Sequence, residues 1–259
     1  MRYLILLIVA TVLPVVGQAE QRVTMVLGTV GGGPGERVNM VEGQLLDDRP
    51  GWFIELSRRA AKQCGADTDF VFMPWARVLK QVKSGAISGA FNSSYKADRA
   101  VYGVYPMLDG RPDERRSSKF YAYFAYGRLD ATKKLPDLDG LQVVVERNSS
   151  IIPELKKRGA KIHEVASYVS MLRVLAAGRV SLAVGIGNNL DPVLMRDSKL
   201  SAKVKKLKPP VSKKVGFVMF SRQFYDAHGT LAECFWETSA QLRKTAWFID
   251  LRETYWQQR

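Results

Sequence analysis

Histidine and cysteine are nearly missing from this chain, whose 259 residues hold two of each. His163 and His228 lie far apart, and neither has a second ligand at metal-site spacing such as His-x-x-x-His, so metal and histidine-centred catalytic signatures are absent. Cys64 and Cys234 are too few for a disulfide-built scaffold. They either close one long loop or remain as two buried thiols on amphipathic helices; spacing alone leaves both open. Acidic residues are also scarce, 25 against 39 basic ones, for a net charge of +14. A basic surface attracts anions. The lysines, however, are dispersed or clustered away from the aromatics, and no nucleic-acid module is present, so a nucleic-acid partner is not expected. Nucleotide loops are missing too. The glycine-rich Gly28–Gly35 runs into Glu36-Arg37, where a phosphate-cradling loop needs Gly-Lys-Ser/Thr, and no helix opens at its third glycine. It reads as a loop at a cleft edge, and no cofactor is expected.

Long apolar runs are absent except at the start. Arg2, the apolar Leu4–Val16 and the small-residue site Gly17-Gln18-Ala19 form a signal-peptide pattern, predicting cleavage after Ala19 and export to the periplasm. The run is short for a membrane span, and no cysteine follows it to carry a lipid. Apolar residues make up 46% of the chain, a globular composition, and the length suffices for two lobes that each bury a core.

The chain is organised around Phe70–Pro106. Phe70–Met73 reads as a buried strand. Trp75, Val78, Leu79 and Val82 then share one helix face, Gly85 stops that helix, and Ala86–Phe91 returns as a strand. The polar run Asn92, Ser93, Ser94, Tyr95, Lys96, Ala97, Asp98, Arg99 follows. Hydroxyls and an arginine just past a parallel strand stand where open α/β sheets bind ligands. Earlier, Val23–Leu27 is a strand, and a helix runs from Trp52 to a stop at Gly65. Asp109–Lys119 is a charged, turn-rich linker, and Phe120–Tyr126 a strand. Leu141–Val145, Ile162–Val165 and Val180–Val184 are strands alternating with helices. Ser149 or Ser150 caps the first of these helices and Ser167 the second, which Gly178 stops. Lys199–Lys214, with seven lysines, reads as a solvated return segment. Val215–Phe220 is a strand, and helices over Gln223–Arg243 and Ala246–Trp256 close the chain, with Trp236, Trp247 and Trp256 filling the core.

The Phe70–Pro106 block and a second one, Leu138–Gly185, resemble the family 3 extracellular solute-binding proteins, periplasmic receptors for polar amino acids and similar solutes. The first block has an aromatic-bearing helix ending at glycine, a strand, and a Ser-rich turn closing on Asp98-Arg99. The second has Leu-Asp-Gly before a strand, a polar turn into a helix, and a second helix ending in Gly178-Arg179 before a strand. The resemblance covers nearly all of the mature chain. It implies an α/β, two-lobed periplasmic binding protein fold, each lobe a doubly wound sheet. Lobe 1 is discontinuous, 20–117 and 214–259; lobe 2 is 118–213; two crossing segments join them.

The resemblance also implies a site. Arg99 grips a ligand carboxylate, for which a planar guanidinium is suited; the alternative is a surface Asp98/Arg99 ion pair. Asn92 and Ser94 align with donor positions, and Ser93 is adjacent. Trp75 covers the ligand or packs in the core. Asn148, Ser149 and Ser150 form a helix N-terminus suited to an anion, or a plain cap. Family members that bind amino acids hold the ammonium with an acid after the strand following Gly-Arg. Here Ile186-Gly187-Asn188-Asn189 stand there and Asp191 comes late, which predicts a carboxylate with a neutral or aromatic remainder. Glu146 is a candidate general acid if the scaffold hosts an enzyme. The leading expectation is a monomeric, non-enzymatic receptor. It would deliver a small organic acid or amino-acid-like solute to an inner-membrane ABC permease. A sensory binding protein and a periplasmic lyase or dehydratase are the alternatives.

Overall fold

A computed structural model describes residues 22–30, 40–41, 44–45 and 48–257. The expected signal segment, most of the glycine-rich loop and the side chain of Trp256 lie outside them.

The first half builds a parallel unit: β1 (Thr24–Thr29), a small hairpin of β2 (Met40–Val41) and β3 (Gln44–Leu45), α1 (Trp52–Gln63), β4 (Asp67–Phe72), α2 (Trp75–Lys83) and β5 (Gly89–Ser93). Strand β1 lies between β4 and β5, parallel to both. Met25 and Leu27 face one apolar cluster and Val26 the other, so period-two alternation here joins two buried faces. Trp75, Val78, Leu79 and Val82 are all buried, as their helical spacing predicts. Gly85 ends that turn at φ 72°, a conformation in which a side chain is strained.

After α3 (Ala97–Ala100) and β6 (Gly103–Val104), a hairpin of β7 (Met107–Leu108) and β8 (Arg111–Pro112) leads through a tight 3-10 turn into β9 (Lys119–Arg128). The linker is thus more ordered than its composition suggests. Buried Asp113 accepts from Arg115 and Arg116, and Arg116 also pairs with Glu233. The second parallel unit is β10 (Gln142–Glu146), α4 (Ile152–Lys157), β11 (Lys161–Val165), α5 (Tyr168–Ala176) and β12 (Leu182–Ile186), with β10 between β11 and β12. Helices α6 (Gly187–Arg196) and α7 (Ser198–Ser201) and strand β13 (Val204–Lys206) lead to β14 (Ser212–Ser221), α8 (Arg222–Leu242) and α9 (Ala246–Gln257).

The strand order is β11-β10-β12-β9-β14-β5-β1-β4. Strands β9 and β14 join the two units. Ser212–Gly216 of β14 pair antiparallel with β9, and from Phe217 onward the same strand pairs with β5.

Three local expectations shift. β5 begins at Gly89 because 86–88 complete the turn, where the Ser88 hydroxyl accepts from the Val26 amide. It then runs on through Asn92 and Ser93, since β14 continues alongside it as far as the Phe217–Ser93 pair. Neither Ser149 nor Ser150 caps α4; Ile151 holds that position without a side-chain bond, and both serines bond elsewhere. Part of the lysine-rich return segment is β13, paired with β9, and Lys206 is engaged by Asp191.

Of the two options for the cysteines, the structure adopts the bridge: Cys64, just past α1, is disulfide-bonded to Cys234 of α8 across 170 residues. Trp236, two residues on, is fully buried and donates to the Val218 carbonyl at 2.8 Å. A covalent loop of this length restricts the unfolded chain strongly. The Cys64→Ala/Cys234→Ala variant is expected to lose about 3–5 kcal/mol of stability. Denaturant unfolding of variant and wild type under oxidising conditions checks this; equal midpoints would show that the bridge contributes nothing.

Candidate functional site

The site forms where the residues just past β5 meet those just past β10. Arg99, in the one-turn helix α3, is only 3% exposed. It donates through Nη1 to the Ser94 carbonyl at 3.1 Å and through Nη2 to the Asn148 carbonyl at 2.8 Å. One acceptor comes from each half of the chain. The guanidinium also lies over the Trp75 ring, 5.5 Å from its centroid. The surface ion-pair alternative is excluded: Asp98, with a side chain 69% exposed, pairs with Lys96 instead.

Hydroxyls surround the guanidinium. The Ser94 hydroxyl bonds Tyr121 of β9 and reaches the Ser150 hydroxyl at 3.0 Å. The Tyr123 hydroxyl bonds Ser149 at 3.2 Å and Ser150 at 3.1 Å. Tyr105 donates to the Ser94 carbonyl at 3.0 Å and pairs with the Ser93 hydroxyl at 2.9 Å. Burial raises the Tyr105 and Tyr123 phenols well above their ordinary range, so both remain neutral. Ser93 thus bonds within the β5 side, whereas Ser94 meets Ser150 and Arg99 meets the Asn148 carbonyl across the seam, with Ser149 on Tyr123. Asn92 sits beside them in a left-handed conformation, with a buried Oδ1 that has no protein partner. Trp75 packs in the core with Val78 and Leu79, and the Arg99 guanidinium lies over its ring.

The three tyrosines were not anticipated. For two of them a signal existed: Tyr121 and Tyr123 alternate in the Phe-Tyr-Ala-Tyr run and therefore face the same side of a strand. Tyr105 had no comparable pattern.

On the β10 side, Glu146 is buried. Its Oε2 accepts from the Tyr168 hydroxyl at 2.9 Å, which in turn accepts from Asn189 Nδ2 at 2.8 Å. Val30, at the end of β1, packs both in its own lobe and against the cluster containing Tyr168, so the two halves also touch here. Asp191 does not take the place of an acid after β12: it is held by the Tyr126 hydroxyl and by Lys206, each at 2.6 Å. Among the described residues no cluster of acids, histidines or cysteines could hold a metal ion.

No family model matches the chain, and no curated protein does. Solved structures do. A histidine kinase sensor domain with similarity to periplasmic binding proteins superposes with a TM-score of 0.71 at 20% identity, over 91% of this chain and 97% of that one. The substrate-binding protein of an amino acid ABC transporter gives 0.69 at 16% identity, over 90% and 99%. The arginine-, lysine-, histidine-binding protein ArtJ from the thermophilic bacterium Geobacillus stearothermophilus gives 0.70 at 13%, over 91% and 95%. The fold is that of the two-lobed periplasmic binding proteins. In this fold the Arg99 constellation lies at the seam between the lobes, at the C-terminal ends of β5 and β10, the edge at which parallel sheets receive ligands.

Glu146 makes stability depend on pH. Burial pushes its carboxyl from 4.5 up to about 7, against the smaller opposing pull of the Tyr168 hydroxyl. The folded protein therefore keeps a proton that the unfolded chain releases near 4.5, and stability falls as pH rises through this window. The loss amounts to at most about 3 kcal/mol. Glu146→Gln cannot ionise and is expected to be more stable than wild type at about pH 8, with the difference vanishing below about pH 5. Melting curves across that range test this; parallel pH profiles would show that Glu146 titrates normally.

Proposed function

We propose that this chain is an exported solute-binding protein that captures a small carboxylate-bearing molecule between its lobes. The observation that carries the reading is Arg99. A buried guanidinium with no carboxylate within ion-pair distance among the described residues has its donors on single backbone carbonyls, one per lobe. A carboxylate is a stronger, bidentate acceptor for the same fork. Trp75 offers an apolar wall, and Asn92, Ser94, Asn148, Ser149 and Ser150 offer polar contacts around it, with Ser93 behind. In this reading lobe 1 comprises 20–117 and 214–259 and lobe 2 comprises 118–213. Capture proceeds by hinge motion at the two crossing segments. The protein acts as a monomer without a cofactor. It is a binder, not an enzyme, a reading supported by the likeness to amino-acid-binding proteins.

Delivery to an inner-membrane ABC importer is the first reading, supported by likeness to the substrate-binding protein of an amino acid ABC transporter. Sensing is the second, favoured by likeness to a histidine kinase sensor domain. Neighbouring genes for permease and ATPase subunits would discriminate them.

Ligands that co-purify with the protein, identified by mass spectrometry, supply the probe. Arg99→Ala is expected to weaken their binding by about 2–5 kcal/mol, as removal of one partner of a buried charge pair does. Because Arg99 also ties Asn148 to lobe 1, the variant should populate open forms, visible as a larger radius of gyration in small-angle X-ray scattering. Unchanged calorimetric affinity would exclude Arg99 from the site. Export has its own check: the mature protein is expected to begin at Glu20, and a periplasmic product that retains Arg2 would refute cleavage after Ala19.

A further inference from the structure

Solute capture leaves the basic excess without a role. Residues 118–213, lobe 2 in the reading above, hold +10 of the net +14, from 18 basic and 8 acidic residues. The backbone gathers part of that charge. The turn after β9 and the segment containing β13 run side by side. The Leu129 amide donates to the Lys203 carbonyl at 3.0 Å, the Lys208 amide to the Lys133 carbonyl at 3.2 Å, and the Leu135 amide to the Lys208 carbonyl at 2.9 Å. Strand β13 itself pairs with the last residues of β9, Tyr126–Arg128. The two stretches, 128–135 and 203–208, hold seven basic residues and one acid.

Packing turns the charge outward. Val204 and Leu207 are buried in the core of lobe 2, whereas Lys203 and Lys208 beside them are exposed, as are Lys133 and Lys134. Neighbouring cations have partners: Arg128 pairs with Asp130 and Lys206 with Asp191, and the Lys205 ammonium donates to the Leu129 and Ala131 carbonyls. Lys133, Lys134, Lys203 and Lys208 have no carboxylate within ion-pair distance among the described residues. Four like charges on one edge repel one another and gain from a surface of opposite sign.

Leu129 narrows what that surface is. Its side chain leaves the residue 51% exposed, while its amide and carbonyl are both tied to lysines of the cluster. A large apolar side chain among cations has nothing to bury against on a phosphodiester backbone. At an anionic bilayer it enters the boundary between headgroups and acyl chains, and the ammonium groups meet lipid phosphates.

We propose that this edge of lobe 2 docks the protein on an anionic phospholipid membrane. This rests on the export reading above, which brings the chain to such a surface. Docking does not use the residues of the seam: Arg128 lies about 17 Å along β9 from Tyr123.

The test is co-sedimentation of the exported form, beginning at Glu20, with vesicles of phosphatidylcholine alone and of phosphatidylcholine mixed with phosphatidylglycerol. Wild type is expected on the anionic vesicles only. It should leave them as salt rises from about 0.1 M to about 1 M, where the screening length falls from about 10 Å to about 3 Å. Lys134→Glu/Lys208→Glu is expected to weaken binding by more than about twentyfold, since each lysine near an anionic surface contributes about fivefold. Leu129→Ser keeps every charge and is expected to weaken binding severalfold. The lipid and salt dependence of wild type needs no variant, so a misfolded variant does not blunt the test. Absence of binding to anionic vesicles, or binding that survives the double substitution, overturns the proposal. Duplex DNA that holds wild type as tightly as the vesicles do, with Leu129→Ser neutral on both, marks a general polyanion surface and overturns it as well. Export is judged separately, by the N-terminus of the secreted product, which vesicle binding does not read.

Discussion

A cation taken out of water must be ringed by oxygen, and much of the seam between the lobes follows from how Arg99 meets that demand. Dehydrating a guanidinium costs several kcal/mol even after relaxation, roughly what a few good acceptors return. Those acceptors are the carbonyls of Ser94 and Asn148, which leave β5 and β10 in opposite halves of the chain. Asn92 and Asn148 both adopt left-handed conformations at these strand ends, which asparagine tolerates better than most residues. The seam is thus set by one charge and by the backbone turns that bring oxygen to it.

Strands β9 and β14 make those turns neighbours. Because β14 pairs first with β9 and then with β5, the two parallel units lie in one continuous strand order, and the crossing strand β9 passes directly under the site. Its tyrosines Tyr121 and Tyr123 reach Ser94 on one side and Ser149 and Ser150 on the other. One strand that joins the two parallel units therefore also carries hydroxyls that bond residues past β5 and residues past β10.

Electrostatics act on two scales. At long range the excess of basic residues gives an attractive field for an anionic solute, which raises encounter rates more than affinity. Partly exposed pairs such as Lys206–Asp191 and Lys214–Glu154 each add about 1 kcal/mol at most. At short range the buried Arg99 charge is met by backbone carbonyls, and the buried Glu146 carboxyl, held toward its neutral form by burial, by a phenol.

Sequence alone determined what depends on periodicity and local stereochemistry. The face of Trp75, Val78, Leu79 and Val82, the stops at Gly85 and Gly178 and the Ser167 cap need only neighbours within one helical turn, and each appears in the structure. The alternation of strands and helices, together with resemblance to a known family, was enough for the two-lobed fold. Tertiary structure decided whatever depends on residues far apart in the chain. The length of β5 was set by β14, more than a hundred residues later. Ser149 and Ser150 look like helix caps locally but bond Tyr123 across a strand, and Asp98 and Arg99, adjacent in sequence, go to solvent and to the seam respectively. The Cys64–Cys234 bridge and the Asn189–Tyr168–Glu146 relay are likewise products of packing. Hydrogen bonds and charges act over a few ångströms of space, and the chain's order does not say which distant residues will share them.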